Sequence, residues 1–171
     1  MVCRLFYIFW LFQNDVPFVP TPRRIIKKMA LAAKSHTNKP LRKIIDLGSG
    51  TGKMLFHLAG ILPAPVVFYG IEQSWLLYAA ACARSFFSRN KKRIVFLRDD
   101  WSNHSLESYD AVFVFLTNAG MSALLSKFSS ELVSGAVIVA YMFPLPENNT
   151  FDEYRYNYKK SLGRIFVYVK R

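Results

Sequence analysis

Cysteine is scarce: Cys3 and Cys82 are the only two in 171 residues. Two thiols without Cys-x-x-Cys spacing build neither a disulfide framework nor a zinc ribbon, which points to a reduced compartment. His36, His57 and His104 are equally sparse and show no ligand spacing, so no metal is expected. Runs that could span a bilayer are missing too. A transmembrane helix needs roughly 20 apolar residues, whereas the N-terminal run Leu5 to Phe12 has eight. No small-x-small site follows that run, which argues against a cleaved secretory signal. Acids are the remaining scarcity: 11 Asp and Glu stand against 23 Lys and Arg, a net charge of +12.

What is present describes a folded domain. The apolar fraction is 52% and the aromatic fraction 16%, which excludes a disordered or low-complexity chain. The length is that of one domain. The basic excess is concentrated at the start, where residues 1–53 hold ten Lys/Arg and two acids. Such asymmetry implies a polyanionic partner, either nucleic acid or an anionic membrane surface. Residues 1–15 form an apolar N-terminal segment, and residues 16–171 the domain proper. The run from Leu5 to Phe12 reads in two ways. It is a shallow interfacial anchor, supported by Arg23, Arg24, Lys27 and Lys28, or a strand or helix packed on the domain.

Val16 to Pro22 is rich in proline and therefore extended. Pro22 suits the first turn of a helix with Thr21 as its N-cap. Ile25, Ile26, Met29, Ala30 and Ala33 give that helix an apolar stripe. Strands and helices then alternate. Strands are expected at Lys43 to Leu47, Val66 to Glu72, Arg93 to Arg98, Asp110 to Leu116 and Ala136 to Phe143. Helices are expected at Lys53 to Leu62, Ser74 to Ser88 and Met121 to Leu132. Two last strands, Phe151 to Tyr158 and Arg164 to Lys170, should form an antiparallel hairpin through Ser161-Leu162-Gly163. The fold class is α/β: a Rossmann-like, doubly wound sheet, mostly parallel with an antiparallel C-terminal hairpin strand.

The sharpest motif is Asp46-Leu47-Gly48-Ser49-Gly50-Thr51-Gly52-Lys53, between the first strand and a helix. Ligands of doubly wound sheets sit at such a place. A P-loop requires Gly-x4-Gly-Lys-Ser/Thr, and here Leu47 and Met54 occupy the required positions. The dinucleotide fingerprint Gly-x-Gly-x-x-Gly also fails by one residue. Asp46 would repel a pyrophosphate, so a cofactor with a positive centre fits better. S-adenosylmethionine carries a sulfonium and an ammonium and no phosphate.

Here the sequence resembles the class I, seven-strand methyltransferases. Their first motif is an acid followed by Gly-x-Gly after strand one, matched by Asp46 to Gly52. Their second is an acid ending strand two, matched by Glu72, 20 residues after Gly52. Their third is an acid after strand three, supplied by Arg98-Asp99-Asp100-Trp101. The resemblance implies S-adenosyl-L-methionine as cofactor. It implies Asp46, Gly48, Ser49, Gly50 and Gly52 as its loop, Glu72 at the ribose, and Asp99 with Asp100 near the adenine. Taken singly, Asp46 reads also as a turn residue, Glu72 as a helix N-terminal charge, and Asp99 and Asp100 as solvated loop acids.

The acceptor side reads Phe113-Val114-Phe115-Leu116-Thr117-Asn118. No Asn/Asp-Pro-Pro-Tyr/Phe motif is present, which argues against transfer to adenine, cytosine or glutamine amines. Thr117 and Asn118 suit substrate binding or a helix cap, with the cap expected at Asn118. The segment Pro17 to Pro22, the Asp99-Asp100-Trp101 triplet and Phe143-Pro144-Leu145-Pro146 carry a narrower resemblance. They resemble the small membrane-anchored protein-lysine methyltransferases that act on the adenine nucleotide translocase and on the c-type ring protein of ATP synthase. That resemblance implies Thr21 as a further cofactor contact, although an N-cap is an equal reading, and Trp101 either lines the site or packs. The expected enzyme is a monomeric protein-lysine N-methyltransferase. It is associated with a membrane at its cytoplasmic face, or mitochondrial in a eukaryote. Its partners are a lysine-bearing protein substrate and an anionic membrane surface. Two rivals stand beside it. One is an RNA methyltransferase using Arg89, Lys91, Lys92 and Arg93 on phosphates. The other is a non-catalytic nucleotide-binding or membrane-docking module.

Overall fold

The computed structural model describes residues 20–157 and 163–171. The apolar run from Leu5 to Phe12, the boundary at residue 15, and Ser161 and Leu162 of the hairpin turn lie outside the described residues. Helix α1 (Arg23–Ser35) leads into β1 (Lys43–Leu47), α2 (Lys53–Ile61), β2 (Val67–Ile71), α3 (Trp75–Phe86) and a 3-10 turn at Lys91–Arg93. Then follow β3 (Ile94–Leu97), β4 (Ala111–Val114), α4 (Asn118–Glu131), β5 (Val137–Tyr141), β6 (Phe151–Asn157) and β7 (Arg164–Lys170).

The seven strands form one sheet in the order β3-β2-β1-β4-β5-β7-β6. The first five are parallel, and β7 runs antiparallel between β5 and β6. The chain turns outward in opposite directions from β1, with β2 on one side and β4 on the other. This is the switch point at which doubly wound sheets open a crevice.

Strand periodicity divides the core in two. Ile44, Phe68, Phe113, Val139 and Val167 face α1 and α2, whose Ile25, Met29, Leu55 and Leu58 cover them. Ile45, Leu47, Val112, Ile138 and Phe166 face the other way, against Leu124 and Phe128 of α4. By the same alternation Asp46 and Glu72 belong to the α1/α2 side, as do Phe115 and Tyr141, which pack there. Two carboxylates and two aromatic rings therefore share one face at the strands' carboxyl ends.

The apolar stripe of α1 is buried as its spacing requires. Its start corrects one expectation: Pro22 holds the N-cap position and no side chain caps the helix, so Thr21 is not the cap. Pro22 already sits at the φ of −63° that proline imposes and lets its carbonyl accept from Ile25 and Ile26, so the helix starts without a capping hydroxyl. The far end is tied by His36, whose Nδ1 donates to the Ala32 carbonyl at 2.9 Å while Nε2 accepts from Tyr156 at 3.2 Å. The second correction concerns α4. It begins at Asn118, three residues before the expected Met121, and its cap is Thr117, whose Oγ1 accepts from the Gly120 amide at 3.3 Å. Among the described residues no helix is long and apolar enough to cross a membrane.

Candidate functional site

The loop after β1 is built from alternating left-handed glycines. Gly48, Gly50 and Gly52 have φ of 76°, 56° and 71°, conformations that side chains disfavour. The turn is pinned to the end of β2, where the Gly48 and Ser49 amides both donate to the Ile71 carbonyl at 3.0 and 2.8 Å. Glu72 follows directly and is buried. One of its oxygens accepts from the Gly50 amide and the other from the Ser74 amide, each at 2.8 Å. Glu72 thus joins the glycine loop to the first turn of α3. Each oxygen retains lone-pair capacity for a further donor.

The outer side of the loop is held by a residue that sequence reasoning missed. Arg84 of α3 donates from Nη1 to the Thr51 carbonyl at 2.7 Å and to Thr51 Oγ1 at 2.9 Å. Its guanidinium lies 4.9 Å from the Phe56 ring centre, over the first turns of α2. An arginine far down a helix carries no spacing signal for such a contact, so only the fold reveals it.

Asp46, the last residue but one of β1, precedes this loop and is only 3% exposed. Burial, and then the negative charge of Glu72, push its carboxyl up to about 7. Among the described residues no hydrogen-bond donor offsets that burial. A buried carboxylate without a partner is costly unless a cation or donor arrives. Ser49 belongs to the loop itself, and its buried Oγ has no hydrogen-bond partner among the described residues.

Of the three glycines, Gly52 answers to packing. A Cβ there would stand 2.3 Å from Phe96 Cζ, so the ring of β3 already fills the space. Gly48 is open, its nearest neighbour being Leu116 Cδ2 at 3.4 Å from the Cβ position. Gly70 of β2 is bare for a third reason: a Cβ would lie 2.8 Å from both Ser49 Oγ and Phe96 Cδ1.

The remaining expected residues sit around this centre. Asp99 and Asp100 are half-buried after β3. Asp99 Oδ1 accepts from the Asp100 amide at 2.8 Å, and Asp100 Oδ1 from the Ser102 amide at 2.9 Å. Gln73 reaches across from β2 and donates to Asp100 Oδ2 at 3.5 Å. Thr21 is buried just before α1 and makes no hydrogen bond to the loop. Trp101 is half-buried against the α4-side core. Among the described residues no three His, Cys, Asp or Glu side chains converge as metal ligands would.

Arg93, expected to be available to phosphates, is committed elsewhere. Its guanidinium donates to the carbonyls of Ala59, Leu62, Pro63 and Val66 at 2.7–3.2 Å. It also lies 5.3 Å from the Phe68 ring centre. It satisfies carbonyls that the end of α2 leaves open.

The donor set fits a cationic, phosphate-free cofactor. Bare backbone at Gly48 allows close approach, and the unpartnered Asp46 carboxylate beside Glu72 would repel a pyrophosphate and welcome an ammonium. A seven-strand sheet with β7 antiparallel, opening on this loop, defines a class I S-adenosylmethionine-dependent methyltransferase. More narrowly, residues 46–151 match the family described as the ANTKMT methyltransferase domain, and the chain belongs to that family. Among curated proteins it is 28% identical to an ATP synthase c-subunit lysine N-methyltransferase of Caenorhabditis elegans, over 91% of this chain and 80% of that protein. It is 29% identical to an adenine nucleotide translocase lysine N-methyltransferase of Mus musculus, covering 77% of this chain but only 55% of the mouse protein. Among solved structures, an RNA methyltransferase from Salinibacter ruber in complex with S-adenosyl-L-homocysteine superposes with a TM-score of 0.73. That match has 19% identity and covers 88% of this chain and 91% of the other, a likeness of fold.

Proposed function

We propose that this methyltransferase modifies the side-chain amine of lysine in a protein held at or near a membrane. The observation that carries the reading is the match of 91% of this chain to a lysine N-methyltransferase. The cofactor supplies an electrophilic methyl group on a sulfonium. The chain's own residues bind it, orient the acceptor and exclude water. In this reading Gly48, Ser49 and Gly50 follow the cofactor's methionine end, with Asp46 under its ammonium. Glu72 accepts from the ribose hydroxyls, Asp99 and Asp100 face the adenine edge, and Thr21 closes the site from the head of α1. Gly52 acts from behind, by letting Phe96 support the loop.

An aromatic wall supports a lysine acceptor. Phe115 and Tyr141 stand 4.9 Å apart between ring centres, and Phe143 stacks on Phe115 at 6.4 Å. Phe115 precedes Leu116, the residue that abuts Gly48, so the wall adjoins the cofactor loop. Aromatic faces hold the aliphatic stem of lysine and attract its ammonium. Desolvation among them favours the neutral amine that must attack. Burial also pushes the Tyr141 phenol up, which keeps it protonated as a neutral wall of the site.

Membrane proximity is supported by the run from Leu5 to Phe12 and by the cations of residues 1–53. The location proposed is a membrane surface facing the cytoplasm, or a mitochondrial one in a eukaryote. The test is incubation with radiolabelled S-adenosylmethionine and separated membrane and soluble extracts. Protease-sensitive label recovered as methyl-lysine from the membrane fraction is the expected result. Label released by nuclease would overturn the reading in favour of an RNA substrate.

A further inference from the structure

Helix α3 is the least buried helix of the domain, with Ala81 its one fully covered residue. It is also built almost wholly of apolar residues. Its outward line is Trp75, Leu76, Ala79, Ala83 and Phe86, continued by Phe87. These positions follow at i, i+1, i+4, i+8, i+11 and i+12, which is one face of a helix. Trp75 is 58% exposed, Phe86 70% and Phe87 85%. The usual arrangement is inverted, because the apolar stripe looks at solvent. It extends for about 18 Å, the rise of its twelve steps. Beside it runs β3, an edge strand of the sheet. Under the C-terminal end of α3 lies a recess of about 300 Å³, lined by Cys82, Ser85, Phe86, Lys91, Ile94 and Phe96.

The charge at the Phe87 end of the stripe has one sign, whereas Glu72 and Asp100 bond to Ser74 and Gln73 beside its Trp75 end. No Asp or Glu occurs between Glu72 and Asp99. Arg89, Lys91 and Lys92 follow Phe87 directly and are exposed, and the Lys91 ammonium lies 5.3 Å from the Phe86 ring centre. Arg98 lies within electrostatic reach of Tyr78, toward the Trp75 end. Apolar side chains flanked at the Phe87 end by cations alone complement a surface that is greasy just below a layer of negative charge. A second copy of the chain would bring one cationic rim against another. Nucleic acid would meet the rim but leave aliphatic Leu76 without a partner.

We propose that the α3 face, with the β3 edge and the cations that follow Phe87, docks on an anionic phospholipid surface. Trp75, Phe86 and Phe87 enter the headgroup layer, and Arg89, Lys91 and Lys92 meet lipid phosphates. The face gives the membrane-proximal reading a second contact, separate from the N-terminal run, and for its purpose it rests on that reading. The cofactor loop and the aromatic wall contribute none of these residues.

The test uses the full chain with vesicles of phosphatidylglycerol and phosphatidylcholine, and with phosphatidylcholine alone. Sedimentation should recover the protein with the anionic vesicles and fall with added salt. F86S/F87S changes two exposed residues and should leave the thermal transition in place, while weakening partition by about tenfold or more. A second measurement reads the face itself. In W10F/W101F the sole tryptophan is Trp75, whose emission should shift to the blue and be quenched by brominated acyl chains. Vesicle binding with unmoved Trp75 emission, or unchanged partition of F86S/F87S, overturns the proposal and leaves docking to the N-terminal run. Concentration-dependent dimerisation abolished by F86S/F87S, or salt-sensitive RNA binding lost in that variant without vesicle binding, overturns it too. Methyl-lysine formation on soluble substrate, measured without vesicles, reports the enzymatic reading independently.

Discussion

In Asp46→Asn a buried carboxylate is replaced by an amide of nearly the same shape. Two effects of opposite sign should appear. In the free protein the carboxyl sits at about 7 against an ordinary value of 3.8. Its folded value is raised, so folding binds a proton that the unfolded chain releases. The resulting penalty is absent below the unfolded value, grows as pH rises, and is complete above about 7. Three units correspond to at most about 4 kcal/mol at 1.36 kcal/mol per unit. Between pH 5 and pH 8 the wild type should therefore lose up to about 3 kcal/mol of stability that the variant keeps. Urea unfolding at the two pH values measures this. Cofactor binding should move the other way. An ammonium beside Asp46 favours the ionised form, so wild-type affinity should fall by up to about tenfold per pH unit below 7. Asp46→Asn should remove that dependence and weaken binding about 10- to 100-fold, the worth of a charged hydrogen bond. Calorimetric titration reads both. Parallel pH profiles for the two proteins, or affinities within about twofold at neutral pH, would refute the assignment of Asp46.

Three further substitutions test the surroundings. Gly52→Ala places a Cβ 2.3 Å from Phe96 Cζ at a φ of 71°. It should cost about 2–4 kcal/mol in chemical unfolding and lower cofactor affinity through displacement of the loop. Arg93→Met leaves four carbonyls without their common donor. It should destabilise by about 2–3 kcal/mol while leaving salt-dependent RNA retention unchanged. Ser49→Ala deletes a buried hydroxyl with no hydrogen-bond partner among the described residues, so melting should show no loss of stability and a gain of up to about 1 kcal/mol.

Several elements are readable from the residue pattern because a single physical rule governs them. The stripe of α1 and the apolar strands β1, β2 and β5 follow burial. The glycine loop follows from backbone conformations that little else adopts. Asp46 and Glu72 are readable because acids are few and both fall at strand ends. Caps read one residue off, at Thr21 and Asn118, since neighbouring Thr, Pro and Asn all satisfy the same local preference. Arg84 and Arg93 look like ordinary surface cations in sequence. Their partners are backbone carbonyls brought near only by the sheet. The outward stripe of α3 is hidden for the opposite reason. Its pattern is that of a well-covered helix, and pattern alone does not say which side is covered.

The position of β7 has a consequence for how the molecule is made. It lies between β5 and β6, yet it is the last of the seven in sequence order. During synthesis β5 and β6 emerge first, and both still lack the strand that separates them. They must remain apart until residues 164–170 leave the ribosome and slide between them. Until then β5 offers an open apolar edge, which is an invitation to aggregate. The sheet is sealed only once β7 is available, so a chain that stops within residues 164–170 should be taken up by chaperones or proteases. Emergence of β7, more than any step within the first five strands, should set when the sheet becomes whole.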